Sequence, residues 1–230
     1  MRESILTIPV NDVFGPKEGC PICRMRDGIE QHICEYIMGA AMMEPDVRVE
    51  TNKLGFCNTH YNQLLQQNNR LSLALMLNTH IAEKEKELFG SKGIFGKLKK
   101  GEQAPSTCFV CEKVNWGVSH TLETVFEMFG KDEAFRKLFA AQEFVCLPHY
   151  KLLLNKAGDK MSKGSFAQFK TALDKLVDDY MKQLNQDVDE FCLSFDYRNA
   201  GKLHNEDMEH VRSSVQRAVE FLTGRKAVEK

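Results

Sequence analysis

The chain lacks a surplus of charge of either sign: 31 Lys and Arg stand against 32 Asp and Glu in 230 residues, a formal net charge of −1. Without a basic excess, attraction to nucleic-acid phosphates is not expected. Long apolar runs are missing too. The least charged stretches, residues 37–43 and 71–77, fall far short of the roughly 20 residues that a membrane-spanning helix needs. The beginning, Met1-Arg2-Glu3-Ser4-Ile5-Leu6-Thr7-Ile8-Pro9, has an early acid and no extended apolar core, so no secretory signal is expected there. No period-2 alternation with flanking hairpin turns is present, which speaks against strands. A phosphate-cradling glycine loop, G-x-S-x-G and H-E-x-x-H are all absent. What remains is a globular composition, 43% hydrophobic and 27% charged, long enough for one large domain or two small ones. A cytoplasmic location follows as the expectation.

Cysteine is the informative residue. Eight in 230 are too few for a small disulfide scaffold, and a cytoplasmic chain keeps its thiols reduced. Six of the eight fall into short motifs. Cys20 and Cys23 form C-P-I-C, Cys57 and His60 form C-N-T-H, Cys108 and Cys111 form C-F-V-C, and Cys146 and His149 form C-L-P-H. Each C-x-x-C precedes a C-x-x-H, across residues 24–56 in the first case and 112–145 in the second. Chance would supply about a quarter of one C-x-x-H in such a chain. The likeness continues between the motifs: Glu44-Pro45-Asp46-Val47-Arg48 lines up with Lys131-Asp132-Glu133-Ala134-Phe135-Arg136. In the same way Phe56-Cys57-Asn58-Thr59-His60-Tyr61 matches Val145-Cys146-Leu147-Pro148-His149-Tyr150. The pattern is that of an internal duplication.

Apolar residues recur at helical spacing. Ile29, Ile33, Tyr36 and Ile37 form one stripe, and Val114, Val118, Leu122, Val125, Phe126 and Phe129 form another. A long third stripe runs through Phe169, Leu173, Leu176, Val177, Tyr180, Met181, Leu184, Val188 and Phe191. Residues 71–88 give a further helix, Pro45 and Asp132 mark short helix starts, and residues 206–222 give a last helix closed by Gly224. The expected class is all-α, a duplicated helical repeat with C-terminal helices. The expected organisation is a first metal-binding repeat over 1–89, a Gly/Lys linker over 90–105, a second repeat over 106–195 and a helical extension over 196–230.

Three thiolates and one imidazole make a closed zinc set. The expected ligands are Cys20, Cys23, Cys57 and His60 for one ion and Cys108, Cys111, Cys146 and His149 for a second. The C-x-x-C is read as a tight knuckle that Pro21 helps to fix. The C-x-x-H is read as a helix start with both ligands on one face. An iron–sulfur centre, or a redox use of the thiols, is the alternative. Pairing within each half closes loops of about 40 residues rather than one of about 130, an advantage of only about 1 kcal/mol, and spacing alone permits the crossed arrangement as well. A closed set leaves no open coordination position, so no catalysis at the metal is expected, and no catalytic residue is assigned. Cys34, Cys192, Met42, Met43 and Met76 read as core, and His80 as a surface or half-buried helix residue. His32, His120, His204 and His210 have no cysteine at ligand spacing. No partner, protein or small molecule, is specified.

The chain resembles the uncharacterised bacterial DUF6062 family. The segments that carry the likeness are Ile8-Pro9-Val10-Asn11-Asp12-Val13-Phe14 leading into Gly19-Cys20-Pro21-Ile22-Cys23, and Gly55-Phe56-Cys57-Asn58-Thr59-His60. Phe195-Asp196-Tyr197-Arg198-Asn199 and Arg217-Ala218-Val219-Glu220-Phe221-Leu222-Thr223-Gly224 add to it. The resemblance implies a soluble bacterial protein in which both ligand sets belong to one architecture. It implies no activity.

Overall fold

In the computed structural model, residues 7–89, 107–196 and 208–227 are described. The expected linker, 90–105, lies wholly outside them, as does His204. Among the described residues the chain is helical, without strands. The helices run α1 (Ile8–Phe14), α2 (Pro21–Met38), a 3₁₀ turn (Ala40–Met43), α3 (Pro45–Leu54), α4 (Asn58–Gln66) and α5 (Arg70–Phe89). After residue 106 follow α6 (Phe109–Lys131), α7 (Glu133–Ala140), α8 (Leu147–Lys160), α9 (Lys163–Ser194), α10 (Met208–Arg212) and α11 (Ser214–Thr223).

The duplication is visible in this order. Each C-x-x-C opens a long helix, a short helix follows, the C-x-x-H opens a third, and a long fourth helix ends the set: α2–α5 in one copy and α6–α9 in the other. The stops are local chemistry. Pro45 stands in the first turn of α3, where its missing N–H is no loss. Asp132 caps α7 by accepting from the backbone N–H groups of Ala134 and Phe135. The expected last helix is broken at Ser213 into α10 and α11, and Gly224 closes it in the left-handed conformation at φ 65°.

The chain divides into two compact units, and the dividing lines fall within α2 and α6 rather than between the sequence halves. One unit comprises Met1–Met25 and Ser119–Lys230. Its core is aromatic: Phe14, Phe135, Phe139 and Phe169 are fully buried, with ring centroids 5.0–5.9 Å apart where they meet one another and Phe129. Helices α7, α8, α10 and α11 pack on α9. The other unit, Arg26–Val118, packs α3 and α4 on α5 over buried Leu64, Leu73 and Met76.

Four apolar assignments need correction, and Met181, exposed on α9, is the first. Met43 ends a turn in which only Ala41 is buried, and it is exposed. Tyr36 lies on the solvent side of α2. Cys192 is exposed, and lies beyond Asp187, the last buried residue of α9. Cys34 and Met76 are buried as expected, and His80 is half-buried.

Candidate metal centres

All four motifs occupy the same position in their helices. Cys20, Cys57, Cys108 and Cys146 each stand immediately before a helix, and their carbonyls accept the first intrahelical bonds, from Arg24, Tyr61, Glu112 and Tyr150. They are the N-cap residues. The second member of each pair, Cys23, His60, Cys111 or His149, is then the third residue of the helix and lies on the same face as the cap. The expected C-x-x-C knuckle is therefore a helix start, and Pro21 acts as the first helical residue rather than as a turn former.

The pairing differs from the expected one. Cys20 and Cys23 meet Cys146 and His149, while Cys57 and His60 meet Cys108 and Cys111. Each C-x-x-C thus joins the C-x-x-H of the other half. The physical reason is that about 1 kcal/mol of loop-closure entropy is outweighed by packing. His60 is held by Glu30, which stands ten residues beyond Cys20 on α2, about 15 Å along the helix.

In the first cluster, Cys23 Sγ lies 3.6 Å from Cys146 Sγ, and His149 Nδ1 lies 3.6, 3.3 and 3.1 Å from the sulfurs of Cys20, Cys23 and Cys146. In the second, Cys57 Sγ lies 3.9 Å from Cys111 Sγ, and His60 Nδ1 lies 3.1, 3.2 and 3.4 Å from the sulfurs of Cys57, Cys108 and Cys111. All donor atoms of a cluster fall within 4.8 Å of one another. A tetrahedral zinc site has edges of about 3.8 Å between sulfurs and about 3.5 Å from sulfur to nitrogen. Either set could hold a metal ion.

Both clusters are braced by the turns that lead into their helices. In the first, Gln142 donates to the carbonyl of Phe14 at 2.8 Å, Arg24 donates to Val13 O at 2.7 Å, and Gly19 N–H donates to Glu143. In the second, Phe109 N–H donates to Gly55 O at 3.0 Å and Thr107 Oγ1 to Leu54 O at 2.9 Å. Gly55 is needed there. Its φ is 61°, and a Cβ would come within 2.7 Å of the His80 ring, which is itself fixed by a 2.6 Å bond between Nδ1 and Asn52 O.

Two helix N-termini face each cluster, each carrying about half a unit of positive charge, which favours thiolates. The titration pattern is one of shared protons. Burial works against the Cys20 thiolate, yet hydrogen bonds from Cys146, Cys23 and His149 hold it well below the ordinary thiol value. Its partners keep their protons. Hydrogen bonding to Cys146 and Cys20 raises Cys23, and hydrogen bonding to Cys20 pushes Cys146 up to about 12. In the second cluster burial again opposes ionisation, but the His60 hydrogen bond brings Cys108 down to about 6. Burial and the neighbouring Cys108 push Cys111 up to about 12. Burial alone would lower His60, but bonds to Cys108 and Glu30 raise it to about 10. A metal entering either site displaces protons, so binding weakens in acid.

One participant lies outside the four motifs. Glu30, 6% exposed, accepts from His60 Nε2 at 2.8 Å and from Gln63 at 3.3 Å. This carboxylate fixes the tautomer that leaves Nδ1 free for a metal. The signal was present in the repeat: ten residues after the first cysteine, one copy has Glu30 and the other Val118.

The profile of the family of unknown function DUF6062 matches residues 1–229. The chain belongs to that family. No curated protein and no solved structure matches it. Membership in DUF6062 therefore brings no activity with it, and the functional argument rests on the two clusters. Among the described residues no helix is long and apolar enough to cross a membrane.

Proposed function

We propose that each cluster binds one zinc ion and that the two ions are structural. They clip pairs of helix starts in a cytoplasmic bacterial protein that works as a binding or regulatory module rather than as an enzyme. The observation that carries this reading is the convergence of two Cys/His pairs on each site, three sulfurs and one nitrogen within 4.8 Å. Four protein ligands close a tetrahedron and leave no position for a substrate. The same compactness favours one ion over an iron–sulfur cluster, whose cysteines are spread over two or four metal atoms. None of the eight cysteines is paired in a disulfide, so six are available as zinc ligands. For the binding role, a groove of about 790 Å³ runs beside α9, lined in part by Ala167, Thr171, Ala172, Lys175, Leu176 and Tyr180, within the size range of small-molecule sites.

Each loaded centre adds two positive charges and loses three thiol protons, so the formal net charge falls from −1 to −3. Elemental analysis of protein purified without added metal and without oxygen should give two zinc ions per chain. One ion or none overturns the paired assignment, and a brown, iron-containing protein transfers it to iron.

A further inference from the structure

The two centres are built alike but surrounded differently. In the first, Cys20 and Cys146 are 4% and 0% exposed, and of its three cysteines only Cys23 is partly exposed. Cys146 accepts a backbone N–H bond from His149, and the Arg24 guanidinium lies within electrostatic reach of Cys20. Loaded with zinc, this centre has a cation at hand to offset its net negative charge.

The second centre has the opposite setting. Cys108 is buried and accepts backbone N–H bonds from Cys111 and Cys57, but Cys57 and Cys111 are both partly exposed. Their sulfurs face each other at 3.9 Å from the starts of α4 and α6. A fixed charge touches this centre directly: the buried Glu30 carboxylate on His60, at 2.8 Å. Lys113, two residues from Cys111, is engaged with Glu50 at 2.8 Å. By accepting from His60, Glu30 makes the imidazole a stronger donor to the metal. A more electron-rich metal stabilises its thiolates less, so their sulfurs are better nucleophiles. Accessibility and charge point the same way.

We propose that Cys57 and Cys111 form the chain's reactive thiol pair: a hydroperoxide oxidises them to a disulfide and releases the metal of the second centre, while the first centre keeps its own. This rests on the zinc reading above. One thiolate attacks a peroxide oxygen, breaking the O–O bond and forming a sulfenic acid, with the leaving oxygen protonated to water or alcohol. The second thiolate attacks the sulfenic sulfur and expels hydroxide, which takes a proton and leaves as water. The two sulfurs lose two electrons, the peroxide gains two, and two protons are consumed. Closing the bond moves the sulfurs from 3.9 Å to about 2.05 Å. Cys108 and His60 alone then hold the ion too weakly to retain it.

The test uses the full chain loaded with zinc, treated with limiting hydrogen peroxide. Released zinc is followed with a chromogenic chelator, and disulfides are mapped by mass spectrometry after the remaining thiols are blocked. One equivalent of zinc should leave with a Cys57–Cys111 disulfide, and the second should persist about tenfold longer. Glu30→Gln, which keeps an acceptor for His60 but removes the charge, should slow the release by about tenfold. If Glu30→Gln does not hold two zinc ions, the wild-type disulfide map decides alone. Equal release from both centres, or a disulfide through Cys23, overturns the proposal. A starting content below two zinc ions refutes the zinc reading and this inference with it, whereas two ions with no selective release refutes only the inference.

Discussion

Replacing Cys146 with Ser should lower the zinc content from two ions to one and cost the loaded protein several kcal/mol of stability. Cys146 is fully buried at the cap of α8 and contacts both Cys23 and His149. Its loss leaves two thiolates and an imidazole, which no longer close the tetrahedron. Structural zinc binding supplies on the order of 10 kcal/mol, so losing most of one site is a large fraction of any domain's stability. The control is internal. With a strong chelator present, the variant and the wild type should melt within about 1 kcal/mol of each other, because the difference acts through the metal. Cys34→Ala removes one small buried group and should cost about 1 kcal/mol. Cys192→Ala, at an exposed position, should change stability by no more than about 0.5 kcal/mol. Thermal melts in the reverse order contradict the ligand assignment.

Asp187→Asn should be strongly destabilising although it lies away from the clusters. Asp187 on α9 is 3% exposed and receives Arg217 of α11 at 2.8 Å, Gln183 at 2.8 Å and the ring of His210 on α10 at 3.1 Å. One carboxylate thus ties both C-terminal helices to α9. Breaking a buried pair strands its partner, at about 3–5 kcal/mol, and the lower end applies because Arg217 also donates to His210 O. Burial would raise the Asp187 value, but the Arg217 and Gln183 hydrogen bonds hold it below the ordinary carboxylate range. For a depressed acid the stabilisation is fully present above the unfolded value of about 3.9 and is lost as pH falls through the lower folded value. Denaturant melts should therefore separate wild type from Asp187→Asn at neutral pH and converge in strong acid, once the pH has fallen below the lowered folded value. A gap that persists in strong acid contradicts the ion-pair account.

The residues themselves made the eight-member Cys/His constellation legible, because C-x-x-C and C-x-x-H recur in the same order at near-equal gaps. The helical class was legible for a similar reason: periodicity of 3.6 over α6 and α9 is long enough to leave no competing pattern. The pairing was not legible. Two arrangements that satisfy the same ligand spacing differ by about 1 kcal/mol in closure entropy, and the deciding contacts, such as Glu30 with His60 and Gln142 with Phe14, join residues far apart along the chain. Pro21 was legible as a rigid residue but not as a helix start, since proline serves both turns and first helical positions. Cys192 and Met43 have helical spacing and apolar character. Their exposure depends on where covering helices end, which periodicity does not record.

The crossed pairing is the central claim, and zinc counting on two double variants tests it most directly. Cys20→Ser with Cys146→Ser removes two ligands from one cluster, so this protein should retain one zinc ion. Cys20→Ser with Cys57→Ser damages both clusters and should retain none. If the first protein loses both ions and the second keeps one, the ligands pair within the sequence halves and the crossed account is wrong.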